Sequence, residues 1–321
     1  MLPRIGNSET KPQEYDGMVK AVNAGWSTMK SRTARWSVRA TLAALVWMQP
    51  AASMAEGPLA TLRIGLVAHP ATGVAIDGAV QIEEAFSKAT GLPTQIFVAR
   101  DFAALIDAQT RGRIDYGIYS AAAYAAARLA CGCIEPIVAP IGSDGATGIR
   151  AVLIRRREDA GQPATVATVP GDMPHWLSHA RPAAQAGAER LVEVETASQA
   201  EAMFVSGDVD GIIGWVPSRA GPAQQGGTLS RLLEAGLQPE TIEIAWETQP
   251  LRYGPHAVRS DMPAATKNAL VGFLTALHEV QPDVFQHLEP LRQGGFVRVT
   301  DADYATANAM ALQLAAAVEA R

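Results

Sequence analysis

Apolar positions in this chain switch repeatedly between the helical period and short strand-like runs, and one such switch occurs twice in similar form. In the first copy, Asp101 to Tyr119, Phe102, Leu105 and Ile106 share a helical face. Gly112 then stops the helix, and Ile114, Tyr116 and Ile118 alternate as a strand does. In the second copy, Ser198 to Trp215, Ala202 and Val205 repeat the face and Gly207 the stop. Val209 to Ile213 is apolar enough for a buried parallel strand. The repetition predicts two similar α/β lobes. Ligands of open α/β sheets bind beyond the carboxyl ends of the strands, so Tyr119-Ser120 and Trp215-Val216 are expected to face a shared cleft.

The remaining pattern fits that plan. Leu62 to Val67 is a buried-strand run, Ala79 to Ala89 an amphipathic helix and Pro93 to Val98 a further strand. Ser120 is placed to cap a helix over Ala121 to Leu129, and Ile134 to Val138 is a strand closed by Pro140. Gly142 to Gly148 predicts a mobile loop, after which Ala151 to Ile154 crosses into the second lobe. There a strand over Ala164 to Val169 leads to the turn Pro170-Gly-Asp-Met-Pro174, which opens a helix, and Leu191 to Val194 is another strand. Ile242 to Trp246 is expected to return toward the first lobe. Ala257-Val258, a helix from Pro263 to Val280 and a terminal helix from about Asp301 complete it. Two crossings make a hinge, with residues 56–149 plus 250–321 as lobe 1 and 150–249 as lobe 2.

The front of the chain predicts processing rather than folding. Arg32, Arg35 and Arg39 precede the apolar run Ala40 to Met48 and the small-residue ending Ala51-Ala-Ser-Met-Ala55, the order of a secretory signal peptide over residues 29–55. Residues 1–28 would then be an upstream extension. Residues 1–55 hold seven Lys and Arg against three Asp and Glu, so the formal net charge of −5 becomes −9 without them. The absence of a basic stripe with interleaved aromatics argues against nucleic acid. No later apolar run reaches membrane-spanning length, so a periplasmic protein that does not span the membrane after signal cleavage is expected.

Taken in order, Leu62 to Val67, Asp101 to Tyr124, Glu135-Pro-Ile-Val-Ala-Pro140, Gly207 to Asp210, Trp246 to Pro250, His256 to Arg259 and Gly295 to Tyr304 resemble the periplasmic solute-binding proteins of the phosphate, phosphite and phosphonate transporter type. The resemblance implies a two-lobed periplasmic-binding-protein fold, type II-like, with a hinge and a central ligand cleft that closes on a small oxyanion. In that family a Ser-Thr-Ser-like loop at a helix N-terminus offers hydroxyls and free amides to the anion. Asp172-Met-Pro174 stands at the matching positions here, followed by His175 and Trp176. A carboxylate at Asp172 would repel a dianion, and Pro174 lacks an N–H. Asp172 is equally readable as the cap of a helix beginning at Pro174.

Cys131 and Cys133 are the only cysteines, separated by Gly132. A disulfide, inert packing and a pair of sulfur ligands for one soft centre are all open readings. The resembled family includes arsenite-binding proteins that depend on cysteine and report to a sensor kinase, so lost hydroxyls and a gained thiol pair point together toward trivalent arsenic. Tyr119, Ser120 and Tyr124 hold the family's first-lobe ligand edge, with ordinary packing as the alternative for either tyrosine. Trp215, Trp176 and His69 are further candidates, and Tyr253 and His256 weaker ones.

No nucleophile elbow, zinc-protease helix or phosphate-binding Gly-Lys-Ser/Thr loop occurs, so neither an enzyme nor a cofactor is expected. The leading expectation is arsenite sensing upstream of the periplasmic domain of a sensor histidine kinase. Its alternative is the substrate-binding component of a phosphonate, phosphite or phosphate-type ABC transporter, whose partner is a permease.

Overall fold

The computed structural model describes residues 59–68, 76–157, 165–169, 190–219 and 226–319. The apolar periods become strands and helices in the order β1 (Leu62–Val67), α1 (Ala79–Thr90), β2 (Thr94–Ala99), α2 (Phe102–Thr110), β3 (Tyr116–Ile118), α3 (Ala121–Cys131) and β4 (Ile134–Pro140). The chain then enters a second sheet through β5 (Gly148–Arg156), β6 (Thr165–Thr168), β7 (Arg190–Glu193), α4 (Ala197–Ser206), β8 (Gly211–Ser218), α5 (Gly227–Glu234), β9 (Ile242–Glu247) and β10 (Leu251–Arg252). It returns through β11 (His256–Arg259), α6 (Ala264–Val280), α7 (Pro282–Leu288), β12 (Phe296–Arg298), a 3₁₀ turn (Asp301–Tyr304) and α8 (Ala305–Glu319).

The first sheet has the order β12-β4-β11-β3-β1-β2, and the second β10-β5-β8-β6-β7 with β9 also paired to β5. The repeated helix–glycine–strand unit holds the same post in each. β3 lies parallel to β1 and antiparallel to β11, and β8 lies parallel to β6 and antiparallel to β5. Gly112 and Gly207 both sit at positive φ, 65° and 87°, where a side chain would be strained.

Helices cover both faces of the first sheet. Ile82 and Phe86 of α1, Leu270 and Leu274 of α6 and Phe285 of α7 pack on one face. Leu105 and Ile106 of α2, Tyr124 of α3 and Met310 of α8 pack on the other. The seven residues Ala121 to Ala127 are all buried, so α3 is enclosed on every side rather than amphipathic. A run of alanines and one tyrosine permits this, because alanine combines high helix propensity with a side chain small enough for close approach of α2 and α8.

Several expectations change. Ile242 to Trp246 does not return to the first sheet. As β9 it pairs antiparallel with β5, where Glu243 and Glu247 meet Arg155 and Arg150 across the strands. β8 continues through Pro217 to Ser218, because its antiparallel ladder with β5 extends beyond the apolar run, leaving Trp215 inside the strand rather than at its end. Gly142 to Gly148 is a hydrogen-bonded turn: Gly142 donates to the Ala146 carbonyl at 2.7 Å, and Asp144 pairs with Arg219 at 3.3 Å. The signal segment and residues 1–28 lie outside the described residues, and no described helix is long and apolar enough to cross a membrane.

Candidate functional site

A cavity of about 740 Å³ opens where the C-terminal ends of β1 and β3 meet the connections between the sheets. Its location follows from the doubly wound first sheet, whose strands end there and whose helices α2 and α3 begin there. Ser120 starts α3 in extended conformation, and its Oγ accepts the Ala123 N–H at 3.1 Å. The hydroxyl proton remains available to a guest.

The return connection supplies the charge. Arg252, at the end of β10, lines the cavity with a side chain only 19% exposed. Its Nη1 donates to Asp303 at 3.3 Å, while its Nε is buried without a hydrogen-bond partner. Tyr253 follows, fixed by its N–H to the Thr147 carbonyl at 3.0 Å and by Tyr304, whose hydroxyl donates to the Tyr253 carbonyl at 2.8 Å. A Cβ at Gly254 would collide with the Tyr119 carbonyl, so only glycine lets this connection lie against Tyr119-Ser120. Arg252, Tyr253 and Ser120 are thereby gathered along one wall.

Arg292 lies over the Tyr253 ring, its guanidinium carbon 4.3 Å from the centroid, and donates to Glu289 at 3.1 Å. Glu289, buried after α7, also accepts the backbone N–H groups of Leu291 and Arg292 at 3.3 and 3.2 Å. Arg292 is committed to that pair and the ring, whereas most of the donors of Arg252 are uncommitted. Burial, the largest influence, raises the Tyr253 phenol above its ordinary range, so the ring stays neutral. Asp77 and His287 complete the polar lining, and the His287 ring rests against Gly78.

Of the candidate residues, Tyr119, Ser120 and Tyr253 border the cavity. Tyr119 borders the cavity, but its ring lies on Gly117 in the core and its hydroxyl donates to Gln109 at 3.1 Å. Tyr124 turns away altogether: it donates to Asp301 at 2.7 Å and packs on Tyr304 with centroids 5.0 Å apart. Burial drives both phenols far above their ordinary range. Trp215 does not border the cavity. It lies mid-strand, 5.8 Å from the Arg231 guanidinium.

Cys131 and Cys133 are bonded to each other at the C-terminal end of α3. At about 1.5 Å rise per residue, the helix puts them roughly 15 Å along its axis from Ser120. Neither borders the cavity. His256 is buried with its Nδ1 hydrogen-bonded to the Tyr116 hydroxyl, a core position rather than a cleft one. His69, Asp172, His175 and Trp176 lie outside the described residues.

Arg252, Arg292 and Glu289 were missed by the sequence reading. The string Arg252-Tyr-Gly-Pro255 at the return crossing carried a usable signal, a cation and an aromatic beside a glycine and a proline at a chain reversal.

The family described as ABC transporter, phosphonate, periplasmic substrate-binding protein matches residues 74–172 and 219–304. A comparison with curated proteins gave no match. Among solved structures, an ATP-bound Xanthomonas citri protein is similar at 14% identity, covering 81% of this chain and 98% of its own, with a TM-score of 0.50. PhnD1 of Prochlorococcus marinus in complex with methylphosphonate shares 12% identity over 79% of this chain and 98% of its own, with a TM-score of 0.46. A binding protein component of a Pseudomonas aeruginosa ABC phosphonate transporter shares 16% identity over 79% of this chain and 86% of its own, with a TM-score of 0.43. The first of these likenesses concerns the two-lobed fold.

Proposed function

Because the chain belongs to the phosphonate-type periplasmic substrate-binding family of ABC transporters, we propose that it captures an oxyanion of the phosphonate class in the cavity beside Arg252 and delivers it to a membrane permease. The observation that carries this reading is Arg252. A guanidinium mostly withdrawn from water, bordering the cavity and held by one carboxylate contact to Asp303, is matched by an anionic oxygen. The free hydroxyl proton of Ser120 supplies a second donor on the same wall. Export through the signal segment at residues 29–55 would bring the protein to the periplasm.

Arsenite capture and a sensor histidine kinase partner are the other reading of the family resemblance. That reading needs sulfur in the cleft, and both sulfurs are joined to each other at the far end of α3. Transport is therefore preferred.

Titration calorimetry with methylphosphonate, phosphite and phosphate tests the proposal. At least one should bind, and Arg252→Gln should weaken it by roughly tenfold to a hundredfold, the range for losing a charge-assisted hydrogen bond. Binding indifferent to Arg252→Gln, or no binding by any phosphonate, would overturn it.

A further inference from the structure

The cavity is lined by a few hydrogen-bond donors and by several apolar side chains. Ser120, Arg252 and Tyr253 stand together where the return connection crosses the start of α3. The same cavity is lined by Val67 at the end of β1, Phe102 at the start of α2, Ile118 at the end of β3 and Ile149 in β5, which pairs with Leu251. Each of these four is only partly buried, packed against the core on one side and uncovered on the other.

An oxyanion with no carbon skeleton, or with one methyl, covers little of these apolar side chains. It is best held by donors converging from several directions, since each buried oxygen left without a partner is costly. A cavity of about 740 Å³ also falls within the range of roughly 300–1,000 Å³ typical of sites for larger organic ligands. We infer that the ligand is an organic oxyanion with an apolar body of several carbons, its anionic head at Arg252 and Ser120 and its body against Val67, Phe102, Ile118 and Ile149. This rests on the phosphonate-capture reading and narrows its substrate class.

The test is a ligand series on the unmodified protein: orthophosphate, n-alkylphosphonates from methyl to hexyl, and phenylphosphonate. Affinity should rise about fourfold for each methylene that reaches these side chains, the ratio corresponding to about 0.8 kcal/mol per buried CH₂. Phenylphosphonate should exceed methylphosphonate by at least tenfold. Phe102→Ala should reduce that ratio, and an unchanged ratio would count against the apolar contact. A flat series, or a preference for orthophosphate or methylphosphonate, would overturn this inference and leave phosphonate capture standing. Failure of every member to bind a protein with native circular dichroism would overturn phosphonate capture itself, and this inference with it.

Discussion

Asp115 and Asp210 hold equivalent posts in the two sheets, each tying the first turn of the repeated strand to the start of its parallel neighbour. Asp115 donates its N–H to the Arg63 carbonyl at 2.8 Å and accepts the Arg63 N–H at 3.0 Å. Asp210 does the same with Thr165, at 3.0 and 2.8 Å. The side chains differ in what else they hold. Asp115 grips the Arg63 guanidinium at 2.8 and 2.7 Å, and Asp210 accepts the Thr165 hydroxyl at 2.9 Å.

Truncating either aspartate leaves a strand N–H without its partner. Asp115→Ala should lower unfolding stability by about 2–3 kcal/mol and Asp210→Ala by about 1–2 kcal/mol, the former more because a charged partner is lost as well. Urea unfolding of both variants checks the order, and equal or negligible losses would contradict it.

His256 predicts a dependence on pH. Burial pushes its value down from 6.5 to about 3, so the folded protein holds it neutral where the unfolded chain takes up a proton. This contribution is fully present above pH 6.5 and is lost as pH falls from 6.5 toward 3, at up to about 1.4 kcal/mol per pH unit. Urea midpoints at pH 7.5, 6 and 5 should fall in that order, and His256→Gln should flatten the decline.

Tyr124 should matter for stability and not for ligand. Its hydroxyl joins Arg128 on the Asp301 carboxylate, which is held below its ordinary range, first by the Arg128 hydrogen bond and then by Tyr124. Tyr124→Phe should cost about 0.5–1.5 kcal/mol and leave phosphonate affinity within twofold of the unmodified protein. A large loss of affinity would return Tyr124 to the site.

Gly254→Ala should impair binding more than it impairs folding. The added methyl forces the return connection away from Tyr119-Ser120 and separates Arg252 from the α3 hydroxyl. Phosphonate affinity should fall at least tenfold with circular dichroism preserved, and an unchanged affinity would show that the two segments need not touch.

Replacing Cys131 and Cys133 together by serine should leave oxyanion affinity unchanged, because the pair lies at the end of α3 remote from the cavity. Loss of binding in that variant would restore sulfur to the mechanism.

What the sequence by itself determined were features written in neighbouring residues. The α2 cap at Asp101, the α3 cap at Ser120 and the stops at Gly112 and Gly207 each satisfy local backbone groups, so a few adjacent side chains specify them. The strand runs of Leu62 to Val67 and Ile134 to Val138, the latter extended to Pro140 in the sheet, were equally legible, since a sheet buried on both faces asks for continuous apolar residues. Only the tertiary structure decided the placement of β9, which depends on Glu243 and Glu247 finding arginines nearly ninety or more positions away. The same holds for the cavity. Ser120, Arg252 and Arg292 come from distant segments, and nothing near Tyr124 in the sequence says that Asp301 will claim its hydroxyl. Local periodicity records which face of an element is buried, but the direction of a polar side chain depends on which partner the packed elements bring within hydrogen-bond reach.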